Sequence, residues 1–439
     1  MKATDLLSSL PSGWQTVPVK AACYFTVSNV DKHSLEDEIP VRLCNYTDVY
    51  KNDRVSPDLE LMSATASEDE IDKFHLEVGD VVITKDSESW DDIGIPAYVE
   101  ATADDFVCGY HLAFMRPNSD LLDGRFLFRC VQSRPVALQL ELEATGVTRY
   151  GLPKGAIGNA LIPLPSLETQ RLIADYLDRE TAHIDALVAE KEKMLALLEE
   201  KRAALISRVV TRGLDPKAPL KPSGLDWLGD IPKHWTVIKL GYLVTLQGGS
   251  TPRTSKDEYW SGNIPWASPK DIKQPVLSDT IDHVSELALS ETGLSLIDHP
   301  VLLLVVRGMI LAKNIPTSLT AVPMTVNQDM KALRPHAKHI LPEYLKLVFD
   351  GLQEPLFTLI EESAHGTRCL RTDLLTNFKI PLPPVDEQKL LLSKVEIEND
   401  ELGVIGSALR NSISLAKERR AALITAAVIG QIPVEEMRL

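Results

Sequence analysis

A chain of 439 residues with 44% hydrophobic and 25% charged side chains is long enough for two or three domains, and its composition excludes a disordered or a membrane-embedded protein. Its net charge of −16 argues against a simple nucleic-acid binder, because neutralising phosphates takes Lys and Arg. The acidity is uneven: residues 1–150 carry 13 basic and 26 acidic side chains, residues 221–380 carry 16 and 17.

The N-terminal MKATDLLSSLPSGW lacks the basic start and apolar block of a secretory signal, so a cytoplasmic location is expected. Next come Trp14 and a predicted strand, in LPSGWQTVPV at 10–19. The same phrase returns as IPKHWTVIKL at 231–240, with Trp235 at the place of Trp14. Further echoes follow in chain order. FMRP at 114–117 matches ALRP at 332–335, GVTRY at 146–150 matches HGTRC at 365–369, and IPLPSLETQ at 162–170 matches IPLPPVDEQ at 380–388. The whole chain therefore reads as one plan written twice. The longest apolar run, VLLLVV at 301–306, is far short of the roughly 20 residues that span a bilayer and reads as a buried strand; no membrane contact is expected. The five cysteines, Cys23, Cys44, Cys108, Cys130 and Cys369, contain no CxxC pair and leave an odd count, which supports reduced structural thiols rather than a zinc site or disulfides.

After each IPLP, whose prolines forbid helix, a stretch rich in Leu, Ala, Glu, Lys and Arg begins, and the two copies run without a gap through EKRAALI and ERRAALI. A 4-3-4-3 spacing selects Ile173, Leu177, Glu180, Ile184, Leu187, Lys191, Met194, Leu198, Lys201 and Leu205 in the first. In the second it selects Leu391, Val395, Glu398, Leu402, Ile405, Leu409, Ser412, Ala416, Arg419 and Leu423. This is a coiled-coil seam, on helices of about 37 residues and roughly 55 Å. An antiparallel pairing would set Glu180 against Arg419 and Lys201 against Glu398, fixing the register; the alternative is that these four side chains reach solvent at the edge of the seam.

The catalytic inventory is empty. No phosphate loop, dinucleotide loop, HExxH helix or GxSxG turn occurs. His336 and His339 read as surface residues without a completing metal ligand, and the acid pairs Asp91–Asp92 and Asp104–Asp105 read as solvated turns. No catalytic residue and no metal site is expected. Two similar domains on a helical ruler suit a spacer or recognition protein, and two-fold DNA readers take half-sites about 34 Å apart per helical turn.

IPKHW, GGSTPRTSKDEYWSGNIPWASPKDIK at 248–273, VNQDMKALRP at 326–335 and IPLPPVDEQ together resemble the specificity subunit of a type I restriction-modification system. GDVVITKDSESWDDIGIPAYV at 79–99 and VRLCNYTDVY at 41–50 resemble the corresponding parts of a first target-recognition domain. The resemblance covers essentially the whole chain. It implies an α+β fold of two pseudo-symmetric, mixed α/β target-recognition domains, 1–165 and 214–383, separated by two long helices, 166–213 and 384–432, that form an antiparallel coiled coil. It implies a non-catalytic subunit that reads a bipartite sequence in double-stranded DNA, with two methyltransferase subunits docking on the helices and motor-nuclease subunits as further partners. S-adenosylmethionine, ATP and Mg are expected on those partners and no cofactor on this chain.

On that resemblance the DNA-contacting candidates are polar side chains on loops. In the second half they are Arg253, Thr254, Ser255 and Lys256 after the glycine-rich GGSTP, then Lys270, Arg307 directly after the apolar strand, Asn327 with Gln328, and Arg368 and Arg371 around the GT turn. In the first half they are Lys85, read as the counterpart of Arg307, and Arg149, read as the counterpart of Arg368. Gly109 and Tyr110 stand where the second half has Asn327 and Gln328, with Tyr110 either stacking or packed in a core. The excess acid of the first half is expected on faces turned away from DNA or toward a basic partner, with phosphate binding shared among subunits. Two competing readings remain: a fragment of a single-chain restriction enzyme, and a coiled-coil scaffold with protein-binding ends.

Overall fold

The computed structural model describes residues 7, 10–362 and 366–438; most of the first nine residues and His365 of the HGTRC echo lie outside them. The chain divides into two compact units. One comprises residues up to Glu192 together with Arg410 onward, and the other runs from Lys193 to Leu409.

Within the first unit a five-stranded sheet runs in the order Cys23–Val27, Leu112–Pro117, Val81–Thr84, Pro96–Val99, Arg54–Val55. A three-stranded sheet orders Met62–Ala66, Ile39–Cys44, Phe106–Cys108. The second unit repeats both sheets. Its five strands are Val244–Gly248, Met330–Pro335, Leu302–Val305, Thr317–Thr320, Val276–Leu277, and its three are Asp282–Val284, Ile264–Ala267, Thr325–Val326. Even the strand directions agree, since the middle strand of each small sheet pairs antiparallel on one side and parallel on the other. Val81–Thr84 and Leu302–Val305 are buried at every position, as befits central strands without polar alternation. Trp14 and Trp235 each precede a strand, Gln15–Pro18 and Thr236–Lys239, that pairs with the IPLP segment closing the same domain.

The helix after each IPLP is longer than the spacing suggested: Leu167–Arg212 has 46 residues and Val385–Val428 has 44. The last residue of each nine-residue echo explains why it repeats. Gln170 is fully buried. Its side-chain N–H groups donate to the carbonyls of Leu121 and Pro165 at 3.0 and 2.8 Å, and its oxygen accepts from the Asp123 N–H at 2.8 Å. Gln388 does the same with His339, Pro383 and Leu341 at 2.8, 3.0 and 2.9 Å. One amide thus ties the first turn of a helix to its own prolyl hinge and to a loop of the preceding domain.

The two helices run antiparallel. In the first unit, Ile173 and Leu177 share a core with Ile424, Ala427 and Val428; in the second, Val209 and Val210 share one with Leu391 and Val395. The expected seam is half right. Leu177, Ile184, Lys191, Leu198 and Leu205 face inward, but the intervening positions fall one residue later than expected, at Thr181, Val188, Leu195, Arg202 and Val209. Val188 is 8% exposed and its neighbour Leu187 50%. On the second helix Gly406, Ile413 and Arg420 likewise replace Ile405, Ser412 and Arg419. Both Leu187–Val188 and Met194–Leu195 are adjacent apolar pairs, so the periodicity offers two phases and packing selects one.

This phase corrects the expected charge pairs. The carboxylate of Glu180 meets its neighbour Arg179 at 3.4 Å, and that of Glu398 meets Lys394 at 2.9 Å. Lys201 acts on Glu398 only through its charge, a lesser contribution to the lowered pKa of Glu398, which the Lys394 hydrogen bond dominates. Ion pairs between the helices form instead at Arg420–Asp185, 2.9 Å, and Lys417–Glu192, 3.2 Å, both in the first unit. Their rising and falling numbers fix the antiparallel direction.

Candidate nucleic-acid interface

In the second unit three segments converge where the buried strand Leu302–Val305 ends. The Val306 N–H donates to the Asp329 carbonyl at 2.8 Å, and Leu370 donates to Val306 at 2.8 Å. Arg307 bridges to Cys369, and the Gly308 N–H donates to the Arg368 carbonyl at 3.0 Å. The Arg307 side chain is left 57% exposed, with Asp329 at 3.8 Å from its guanidinium. Asn327 is 6% exposed; its oxygen accepts from the Asp329 N–H at 3.0 Å and its own N–H donates to Ala267 at 2.9 Å. That geometry makes Asn327 the support of a turn rather than a free reader. Gln328 beside it is exposed and accepts from the Thr251 hydroxyl at 2.5 Å, which ties the GGSTP loop to the same place. Arg307, Gln328 and Arg368 are thus brought together, over the turn that Asn327 supports, with the start of that loop.

Arg253, Thr254 and Ser255 stand exposed further along the loop, which Trp260 fixes by donating to the Arg253 carbonyl at 3.3 Å. Other candidates are already engaged. Lys256 donates to Glu291 at 2.6 Å and lies over the Tyr259 ring; the Glu291 hydrogen bond raises its pKa. Lys270 donates to Asp282 at 2.7 Å, which likewise raises it. Arg371 is forked between Asp373 and Glu361 and ends the Arg368–Leu370 strand; its hydrogen bond holds the Asp373 carboxyl at about 2.

The same junction recurs in the first unit, and its hydrogen bonds correct two equivalences. Lys85 donates its N–H to the His111 carbonyl at 2.9 Å and accepts from Leu152 at 2.8 Å, which is the pattern of Val306. The counterpart of Arg307 is therefore Asp86. Likewise Tyr150 pairs with Ser87 as Arg368 faces Gly308, so Tyr150 and not Arg149 matches Arg368. The third equivalence stands: Gly109 donates to Cys44 as Asn327 donates to Ala267.

The chemistry differs accordingly. Asp86 accepts from Lys85 at 2.8 Å and lies 2.7 Å from His111 Nδ1; burial works to raise its pKa, but these bonds outweigh it and hold the carboxyl below its usual value. Arg149 places Nη2 3.1 Å from His111 Nε2. Asp86 and Arg149, with Tyr46, Tyr50, Ser87, Glu88, Ser89, Asp92 and Thr148, line an open cleft of about 900 Å³. Tyr46 and Tyr50 are stacked at 5.5 Å, and the Tyr50 hydroxyl donates to Asp92 at 2.9 Å. Sequence reasoning missed Asp86, His111 and the tyrosines. The available signal was the alignment of DSES with RGMI after the buried strand. Tyr110 lies against the His111 ring at 3.6 Å between centroids.

Among the described residues no group of three His, Cys, Asp or Glu side chains could hold a metal ion, and no helix is long and apolar enough to cross a membrane. Cys23, Cys44, Cys108 and Cys130 are buried free thiols, and Cys369 is partly exposed.

Comparison with known proteins gives concordant results. The family model for the type I restriction modification DNA specificity domain matches twice, at residues 32–196 and 232–397. The specificity subunit of the Escherichia coli EcoR124I/EcoR124II type I restriction enzyme is 29% identical over 260 residues, 58% of each chain. The chain thus aligns with little more than half the length of that relative. A putative MjaX specificity subunit of Methanocaldococcus jannaschii is 22% identical, over 76% of this chain and 74% of its own. A solved structure from work on assembly and conformational transition of the type I R-M system shares the fold, with a TM-score of 0.71 at 18% identity over 97% of this chain and all of that one. The HsdS subunit of Thermoanaerobacter tengcongensis gives 0.51 at 17%, over 98% and all.

Proposed function

The chain belongs to the type I restriction modification DNA specificity domain family, and from that premise we propose that it reads a two-part sequence in double-stranded DNA, one domain to each half. The observation that carries this reading is the junction built twice: one strand end, one turn and one hairpin meet in each unit, with Arg307, Gln328 and Arg368 at positions that Asp86, Tyr110 and Tyr150 hold in the other. A repeated scaffold bearing unlike side chains suits two unlike half-sequences, because base edges are told apart by donors, acceptors and shape. In this reading residues 1–165 and 214–383 are the readers, and 166–213 and 384–432 are the spacer on which two methyltransferase subunits dock. Motor-nuclease subunits complete the assembly in the cytoplasm. Adenine methylation and cleavage are work of those partners, which bring S-adenosylmethionine, ATP and Mg; this chain supplies the address.

The second domain presents Arg307 and Arg368 for guanine edges or phosphates, and Gln328 for adenine. The first reads through its tyrosine-lined cleft, with Arg149 as its cation and Lys85 held by Asp86. The test is to express the chain with its methyltransferase and map modified adenines across genomic DNA. A two-part motif with a fixed gap is expected; modification without a shared two-part motif would overturn the reading.

A further inference from the structure

The turn that follows the buried strand holds two adjacent apolar side chains outward in the second domain, whereas its counterpart in the first exposes Trp90 alone among polar and acidic neighbours. Met309 is 68% exposed and Ile310 40%, although they belong to a fixed 3-10 turn, Met309–Ala312. Leu311 is fully buried beneath them and anchors it. Gly308 enters with φ +137°, a conformation that side chains rarely adopt, and its N–H is held by the Arg368 carbonyl at 3.0 Å. The turn also packs against the Arg368–Leu370 strand. Its exposure is therefore built in, since backbone and anchor hold the two apolar side chains outward.

Cations frame it. Arg307, 3.8 Å from Asp329, precedes the pair, Arg368, opposite Gly308 and 3.8 Å from Glu362, lies on the facing strand, and Lys313 stands exposed at the turn's end. The segment 307–314, RGMILAKN, contains two cations and no acid, whereas the equivalent stretch from Asp86, DSESWDD, contains four acids and no cation. Glu88 and Ser89 hold the places of Met309 and Ile310. Apolar side chains held out among cations fit a polyanion whose interior is apolar, and a Met or Ile wedge between base pairs is a known way of unstacking and kinking a duplex. Resting on the reading of this chain as a DNA reader, we propose that Met309 and Ile310 are a wedge that enters one base step of the half-site read by the second domain, with the flanking cations on the adjoining phosphates.

The test uses the complex with its methyltransferase subunits and duplexes carrying 2-aminopurine at successive steps of the mapped target, away from the modified adenine, which methyltransferases themselves flip out. The wild-type complex brightens the probe at one step of that half-site. Met309→Ala with Ile310→Ala still assembles but loses the brightening and binds specific DNA roughly tenfold more weakly, the loss expected of one good contact. Met309→Leu keeps both. A wild-type complex that binds its target and brightens no such step overturns the wedge alone, as does a double variant that brightens it equally. A double variant that no longer joins the methyltransferase also overturns it, marking the turn as a protein contact. A wild-type complex without any sequence preference would instead defeat the DNA reading itself.

Discussion

Asp178, on the first long helix, holds the Arg129 guanidinium at 2.7 Å, and only 4% of the Arg129 side chain is exposed. Arg54 and Arg125 also reach Asp178, at 3.0 and 3.5 Å, so one carboxylate fastens the helix to its domain through three cations. Burial lowers the pKa of Arg129, and the Asp178 hydrogen bond works against that shift. Asp178→Ala would leave that charge buried without its partner and should lower the unfolding free energy of the chain by about 3 kcal/mol or more. Arg129→Met, which removes the charge with the need for it, should cost less. Urea denaturation of both variants decides, and equal losses would contradict the account.

The interhelical ion pair at Asp185 makes a second prediction. Arg420→Glu sets two acids together and weakens the pairing, and adding Asp185→Arg restores part of the loss, by up to about 1 kcal/mol for a pair this exposed. Restoration is partial because Arg420 also bonds Asp53. The same reversal at Glu180 and Arg419 should show no coupling. Thermal unfolding of the two double variants and their four singles checks both statements.

Acid should act through Asp86. Its folded pKa lies below the ordinary value of about 3.9, so its ionisation stabilises the fold above that value, and the contribution disappears as pH falls through the lower folded value. Asp86→Asn lacks this contribution at every pH. Relative to it, the wild-type protein should be more stable at neutral pH and lose that advantage below about pH 4. Melting temperatures of the two proteins from pH 7 to pH 3 give the difference, and a constant difference would contradict the assignment.

Thiol chemistry should single out Cys369. Burial pushes Cys23 up to about 12 and raises Cys44, Cys108 and Cys130 too, while Cys369 is partly exposed opposite Arg307. A maleimide at neutral pH should add once to the folded chain, at Cys369, and the adduct should weaken binding of target DNA by the assembled complex. Mass spectrometry of the native protein reads the first effect. Rapid labelling of Cys44 or Cys108 would contradict the burial.

Much of this architecture is legible in the sequence because it is repeated. Trp14 and Trp235, the two IPLP hinges and the unbroken helices are local signals that recur at nearly constant spacing. What escaped was a shift of a single residue. Local similarity set Lys85 beside Arg307 and Arg149 beside Arg368, but strands alternate faces with period two, so one residue exchanges an outward side chain for an inward one. Only the hydrogen bonds of Lys85 and Val306 settle the count. The seam failed in the same manner at Leu187 and Val188, two apolar neighbours of which tertiary packing buries the second. Asn327 matched a base-reading residue type, yet its amide is spent on its own turn.

The most direct measurement exchanges residues 1–162 for the same segment of another family member and maps the adenines modified by the resulting complex. One half of the recognised motif should change while the other half and the gap between them stay the same. Alteration of both halves, or of neither, would contradict a chain in which each domain reads its own half.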